Sequence, residues 1–220
     1  MRIRGNETTN LINFLKTRWL DLCLNLRCDD EVKKTVFNSL VTLYSEPHRA
    51  YHNLKHIHNL LGWAENWREQ INDFRTMGFA IWFHDAIYQP RHNDNEEQSA
   101  NLAAARLKYL KILDPQIATV RQMILATKTH DLTNLDSDGK LFLDLDLSIL
   151  GADASAYQAY SRAIRREYNF VPEPLYRTGR QRILQNFVAR DFIYSTVPCR
   201  EKFESQAREN IQREIVELSK

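Results

Sequence analysis

The chain has 220 residues, of which 43% are hydrophobic and 26% charged; that composition excludes wholesale disorder, and a chain of this length buries roughly two-thirds of its unfolded surface without disulfide staples. Thirty Lys and Arg stand against 28 Asp and Glu, a formal charge of +2, which argues against a protein that coats nucleic acid and leaves room for a local basic pocket. Glycine and proline number six each, about 5% together where average usage is roughly 12%, too few turn residues for many short strands.

The apolar spacing is helical almost throughout. Leu11, Ile12, Leu15, Trp19, Leu22 and Cys23 form a first stripe, with Thr8 to Asn10 as capping candidates. Val32, Val36, Phe37, Leu40, Val41 and Tyr44 form a second, between Asp29-Asp30 and Pro47. A third helix is expected from about Tyr51 to Trp67. A fourth, from about Phe74 to Tyr88 with Pro90 ending it, is apolar on nearly every side and reads as central. Asn93 to Glu96 form a cap for the next helix, and Asp114-Pro115 start another. Residues 131–139 and 171–179 read as loops on composition. Helices are expected at about 140–150, 153–168, 180–195 and 199–218. The expectation is an all-α, single compact domain over residues 1–220, with a site within about 50–150 and the terminal helices packed on it.

Cys23, Cys28 and Cys199 have no metal-finger spacing and read as idle thiols in a reducing compartment. The N-terminal segment is broken by Lys16, Arg18 and Asp21, so it lacks a signal-peptide core. No stretch approaches the ~20 apolar residues that span a bilayer. A cytoplasmic protein without membrane partners is expected.

All seven histidines fall between positions 48 and 130. His52 and His56 are spaced i, i+4, which on a helix puts both rings on one face about 6 Å apart along the axis. His84-Asp85 follows Trp82-Phe83 in the most apolar segment, where a carboxylate beside an imidazole is costly unless paired or bound to a metal. Asp144 and Asp146 interrupt an otherwise apolar run at 142–148. Such a mixed nitrogen and oxygen set suits Mn²⁺, Fe²⁺, Co²⁺, Zn²⁺ or Mg²⁺ with positions left for water. A closed structural zinc site would favour thiolates.

The order of His56, His84-Asp85 and a distant Asp146 resembles the H…HD…D pattern of the HD-domain metal-dependent phosphohydrolases. The strings YHNLKHI (51–57), WFHDAIY (82–88), NEEQSA (95–100), FLDLDLSILG (142–151) and GRQRIL (179–184) resemble most closely a bacterial group of predicted HD-superfamily phosphohydrolases, across most of the chain. A more distant similarity is to cyclic-nucleotide phosphodiesterases, through YHNxxH, the HD pair and a later Asp-Leu-Ser.

The resemblance implies that His56, His84, Asp85 and Asp146 hold a divalent metal ion, with Asp144 the rival for the last position. Asp85 is then able to bridge two ions, and His52 is the group that protonates the leaving oxygen. Glu96 or Glu97 positions or deprotonates the attacking water, the alternative being a helix-capping carboxylate. His130, Lys128 and Arg180 are candidates for phosphate, with Arg165, Arg166 and Arg177 behind them; arginine grips phosphate with two parallel hydrogen bonds. Gly179 before Arg180 suggests a tight loop end. Tyr51, Trp82 and Tyr88 offer stacking faces for a base, or are simply core. The expected activity is hydrolysis of a small phosphorylated substrate, a nucleotide or related metabolite. The rival expectations are a metal-binding module that binds a nucleotide without turnover and, more remotely, an HD-type di-iron oxygenase. Substrate, metal identity and oligomeric state stay open.

Overall fold

The computed structural model describes residues 3–220, with side chains from residue 7 onward. Among the described residues it contains ten α-helices, two short 3₁₀ turns and no strand. In chain order the helices are α1 (Ile3–Leu22), α2 (Asp30–Tyr44), α3 (Leu54–Asn66), α4 (Phe74–Phe83), α5 (Asn95–Tyr109), α6 (Asp114–Ala126), α7 (Ser137–Asp146), α8 (Ala154–Glu167), α9 (Glu173–Val188) and α10 (Val197–Leu218). The all-α expectation holds. No described helix is long and apolar enough to cross a membrane. Contacts divide the chain into two units, residues 1–142 and 143–220, so the cut falls within α7.

In the first unit α4 is the centre. Every residue from Thr76 to Phe83 is buried, and α1, α3, α5 and α6 all pack against it. An all-round apolar helix needs such all-round cover. Trp82 is fully buried and meets the rings of Trp19 at 5.6 Å and Phe37 at 5.8 Å. It is therefore core and offers no face to a base. Asp73 starts α4 by accepting from the Thr76 amide at 3.0 Å, a standard N-cap bond. Asp138, in the first turn of α7, accepts from the amides of Asn72 (3.0 Å) and Asp73 (2.8 Å). The helix thus begins inside the stretch 131–139 expected to be a loop.

Two helix boundaries differ from expectation next to the candidate site. α3 starts at Leu54 rather than near Tyr51, because the Asn53 side chain accepts from the Lys55 amide at 2.9 Å and acts as the N-cap. α4 stops at Phe83 rather than Tyr88. The Ile87 amide, which a continuing helix would bond to the Phe83 carbonyl, donates to Ser99 Oγ at 3.0 Å, and the Phe83 carbonyl accepts from the Ala86 amide at 3.1 Å; Arg49 takes the carbonyls of Asp85 and Ala86 at 2.7 and 2.9 Å.

In the second unit α10 packs on α9 and on the 3₁₀ turn Leu147–Gly151. α9 begins at Glu173, overturning the loop expected over 171–179. Pro172 and Pro174 gave that stretch its loop-like composition, yet proline fits a helix's first turn, where its missing N–H has no partner to lose. Gly179 is consequently inside α9 and not at a loop end.

The unit's two glycines make opposite predictions. A Cβ on Gly151 would lie 2.5 Å from Phe203 Cβ and 2.7 Å from the Phe203 carbonyl oxygen, whereas one on Gly179 would meet nothing within 4 Å. Gly151→Ala is expected to force α10 away and destabilise by about 1–3 kcal/mol. Gly179→Ala is expected to stabilise by about 0.5–1 kcal/mol through helix propensity. Urea melts of the two variants check both signs.

Cys23 and Cys199 are buried and unbridged, and burial pushes each thiol up to about 12. At neutral pH both are inert protonated thiols.

Candidate metal centre

His56 lies in the first turn of α3, buried, with Ile57 and Leu60 seating that helix in the core. His84 and Asp85 occupy the turn just beyond α4. His84 is 1% exposed and Asp85's side chain 18%. The three side chains converge. His56 Nε2 is 3.1 Å from His84 Nε2, Asp85 Oδ2 is 3.0 Å from His84 Nε2, and Asp85 Oδ2 is 3.7 Å from His56 Nε2.

The tautomer of His84 is fixed by its other nitrogen. Nδ1 lies 2.9 Å from the Ile81 carbonyl oxygen, so Nδ1 carries a proton, and in the neutral ring Nε2 presents a lone pair. That lone pair faces a carboxylate oxygen at 3.0 Å. Two electron-pair donors repel at this distance unless a proton or a cation lies between them. Donors roughly 2.1 Å from one divalent ion stand about 3.0–3.4 Å apart in octahedral or tetrahedral arrangements. The observed triangle fits that range on two sides and exceeds it slightly on the third. A backbone carbonyl on the outer nitrogen is also the usual support for a ligating histidine. This His/Asp cluster could hold a metal ion.

His52 precedes the N-cap of α3, so His52 and His56 do not share a helical face. The turn nevertheless leaves their rings 6.0 Å apart in a T-shaped arrangement. His52 also lies 4.2 Å from the ring of Tyr88 and 5.0 Å from Tyr51, whose ring is 4.9 Å from His56. His48 Nε2–H donates to the Tyr88 carbonyl at 2.7 Å.

The loop after His84-Asp85 is held by three side chains. Ser99 Oγ accepts from the Ile87 amide at 3.0 Å, and the Asn95 side chain bonds both the amide and the carbonyl of Gln89, at 2.9 and 3.0 Å. Arg49, buried at 6% exposure, holds the turn itself. Sequence reasoning missed all three; the polar spacing within NEEQSA was the available signal for Asn95 and Ser99, and Arg49 had none.

The remaining expected residues are spread out. Glu97 is paired with Lys128, with Oε1 at 2.6 Å from Nζ, and Lys128 also donates to the Asn93 carbonyl. That hydrogen bond holds the Glu97 carboxyl below its usual range. Glu96 differs: burial raises its carboxyl, and the charge of Asp85 adds to the rise. Of the two glutamates, Glu96 is the one whose carboxyl feels the charge of Asp85. His130 lies beyond the end of α6 with φ of 52°, the left-handed conformation that often closes a helix.

In the second unit, Asp144 accepts four hydrogen bonds, from the amides and hydroxyls of Ser195 and Thr196 at 2.6–3.1 Å. It anchors the start of α10. Burial still leaves its carboxyl raised. Asp146 closes α7, half-buried. Arg180 is buried and grips Glu214 bidentately, Nε–Oε1 2.9 Å and Nη2–Oε2 3.1 Å, and Nη1 contacts the Tyr160 hydroxyl at 3.3 Å. Its fork is committed to a core ion pair, which accounts for its position without a phosphate. Arg165 and Arg177 both pair with Glu173.

No protein-family model, no curated protein and no solved structure matches the chain. The donor atoms themselves carry the metal reading.

Proposed function

We propose that the chain is a metal-dependent phosphohydrolase acting on a phosphate ester of a nucleotide or related small metabolite. The observation that carries the reading is the triangle of His56 Nε2, His84 Nε2 and Asp85 Oδ2, with His84's lone pair aimed at a carboxylate. Asp146 is the further ligand in this reading. The resemblance to the H…HD…D order supplies it, and Asp144, its rival, is saturated by Ser195 and Thr196. The resemblance to HD-domain phosphohydrolases supplies the reaction class.

A divalent ion held by these residues would supply Lewis acidity, the chemistry that makes water a nucleophile near neutral pH. Nitrogen and oxygen donors of this mix are met by Mn²⁺, Fe²⁺, Co²⁺, Zn²⁺ or Mg²⁺. His52, against His56 and Tyr88, is the proton donor to the departing oxygen. Glu96, held half-buried beside Asp85's charge, is better placed than the Lys128-paired Glu97 to orient water. Lys128 and His130 remain the candidates for phosphate.

His52→Ala is expected to retain metal and lose about 10²- to 10⁴-fold in turnover, the range of a general acid. Metal content by elemental analysis, read beside kcat, checks it. The proposal as a whole is tested by a panel of phosphomonoesters, phosphodiesters and nucleoside polyphosphates assayed with Mn²⁺, Co²⁺ and Mg²⁺. Turnover of any of them that chelation abolishes and metal restores is the expected result. Metal binding and nucleotide binding with no turnover across the panel would favour a regulatory module instead.

A further inference from the structure

Arg49 makes an unusual set of contacts for a buried arginine. Nη1 donates one N–H to the His52 carbonyl at 3.0 Å and the other to the Asp85 carbonyl at 2.7 Å. Nη2 donates to the Ala86 carbonyl at 2.9 Å, and Nε to Glu46 Oε2 at 3.0 Å. The guanidinium carbon sits 5.0 Å from the centroid of Tyr44 and 5.5 Å from that of Tyr88. Tyr44 is itself anchored to α4 through its hydroxyl, which donates to the Trp82 carbonyl at 3.1 Å.

A planar fork of five donors in fixed geometry is the one side chain able to join three carbonyls rigidly. Those carbonyls belong to the residue expected to deliver the proton, to the residue expected to bind the ion, and to the one after it. The two segments are separated by more than thirty positions and by the whole of α3. A single nitrogen, Nη1, bridges them.

We propose that Arg49 is a positioning residue that sets the spacing between the His52 segment and the Asp85 turn, and through it the affinity and geometry of the metal centre. The proposal rests on the metal reading above. Lost second-layer support of a metal ligand costs roughly 10–100-fold in affinity.

The test titrates Co²⁺ into the metal-free full-length protein and follows the visible absorption of the bound ion, for wild type, Arg49→Met and Arg49→Lys. Val36→Ala, a core substitution in α2, serves as a control for lost stability, and circular dichroism reports the fold. The expected result is at least a tenfold weaker Co²⁺ dissociation constant and an altered band shape in Arg49→Met. Arg49→Lys, a point charge that cannot join both segments, is expected to recover melting temperature more than affinity. Val36→Ala is expected to bind as wild type does. Wild-type Co²⁺ affinity in either folded Arg49 variant overturns the proposal while leaving the metal reading intact. If neither variant folds, Arg49 is a determinant of the fold and the proposal fails. If wild type binds no Co²⁺, the metal reading itself fails, and this inference with it.

Discussion

Asp85→Ala is expected to remove metal binding and to lower turnover by about a thousandfold or more, roughly 4 kcal/mol of transition-state stabilisation. The same substitution is expected to leave the metal-free protein at least as stable as wild type. The reason is local. Without an ion, Asp85 Oδ2 sits 3.0 Å from His84 Nε2, while Nδ1–H is committed to the Ile81 carbonyl; with the ring neutral, removing the carboxylate relieves a contact between two electron-pair donors. Arg49 holds the Asp85 backbone carbonyl whatever side chain stands there. A structural ion pair would behave in the opposite way: truncating one partner of a buried pair destabilises by several kcal/mol. Melting temperatures with and without Mn²⁺, for both proteins, separate the two. Wild type should gain stability with metal, by mass action on the folded state, and Asp85→Ala should not.

The second large effect concerns stability alone. Glu214→Ala is expected to destabilise the protein by about 3–5 kcal/mol, because it leaves the buried Arg180 guanidinium without its counter-charge. The hydroxyls of Tyr157 and Ser161 also donate to Glu214, so four donors lose their acceptor together. The pair has a defined pH signature. Burial acts to raise the Glu214 carboxyl, but the Arg180 hydrogen bonds and charge outweigh it and hold the group below 4.5. A carboxyl depressed on folding contributes stability that is fully present above its unfolded value. That contribution is lost as pH falls through the folded value. Wild type is therefore expected to lose stability steeply below about pH 4.5, and Glu214→Gln to lose less over the same interval. Urea melts between pH 3 and 7 measure the difference.

How much of this was readable from sequence depends on range. α2, α5, α6 and α8 lie close to where local sequence signals put them, because those signals lie within a few residues; of the four only α8 has a side-chain cap, Asp153 accepting from the amides of Ser155 and Ala156. The pairing of a histidine with an aspartate in an apolar setting is equally local. The ends of α3 and α4 were misplaced by long-range and side-chain effects. Asn53 captures the start of α3, and Ser99, 12 positions along the chain, takes the Ile87 amide that a longer α4 would need. Likewise Arg180 read as a phosphate ligand because its partner, Glu214, lies 34 positions away. A buried arginine bound to carbonyls leaves no periodic trace, which is why Arg49 was invisible. The start of α9 failed for a different reason: proline opens helices as readily as it marks loops.

The central claim is that His56, His84 and Asp85 bind a divalent ion. Its most direct test is elemental analysis of the wild-type protein, purified without chelator or added metal, followed by Mn²⁺ and Co²⁺ titration of the stripped form. At least one equivalent of a divalent transition metal or Mg²⁺ per chain, lost in Asp85→Ala and in His84→Ala, is the predicted result. A wild-type protein that carries no metal, and takes up neither Mn²⁺ nor Co²⁺ at millimolar concentration, would contradict it.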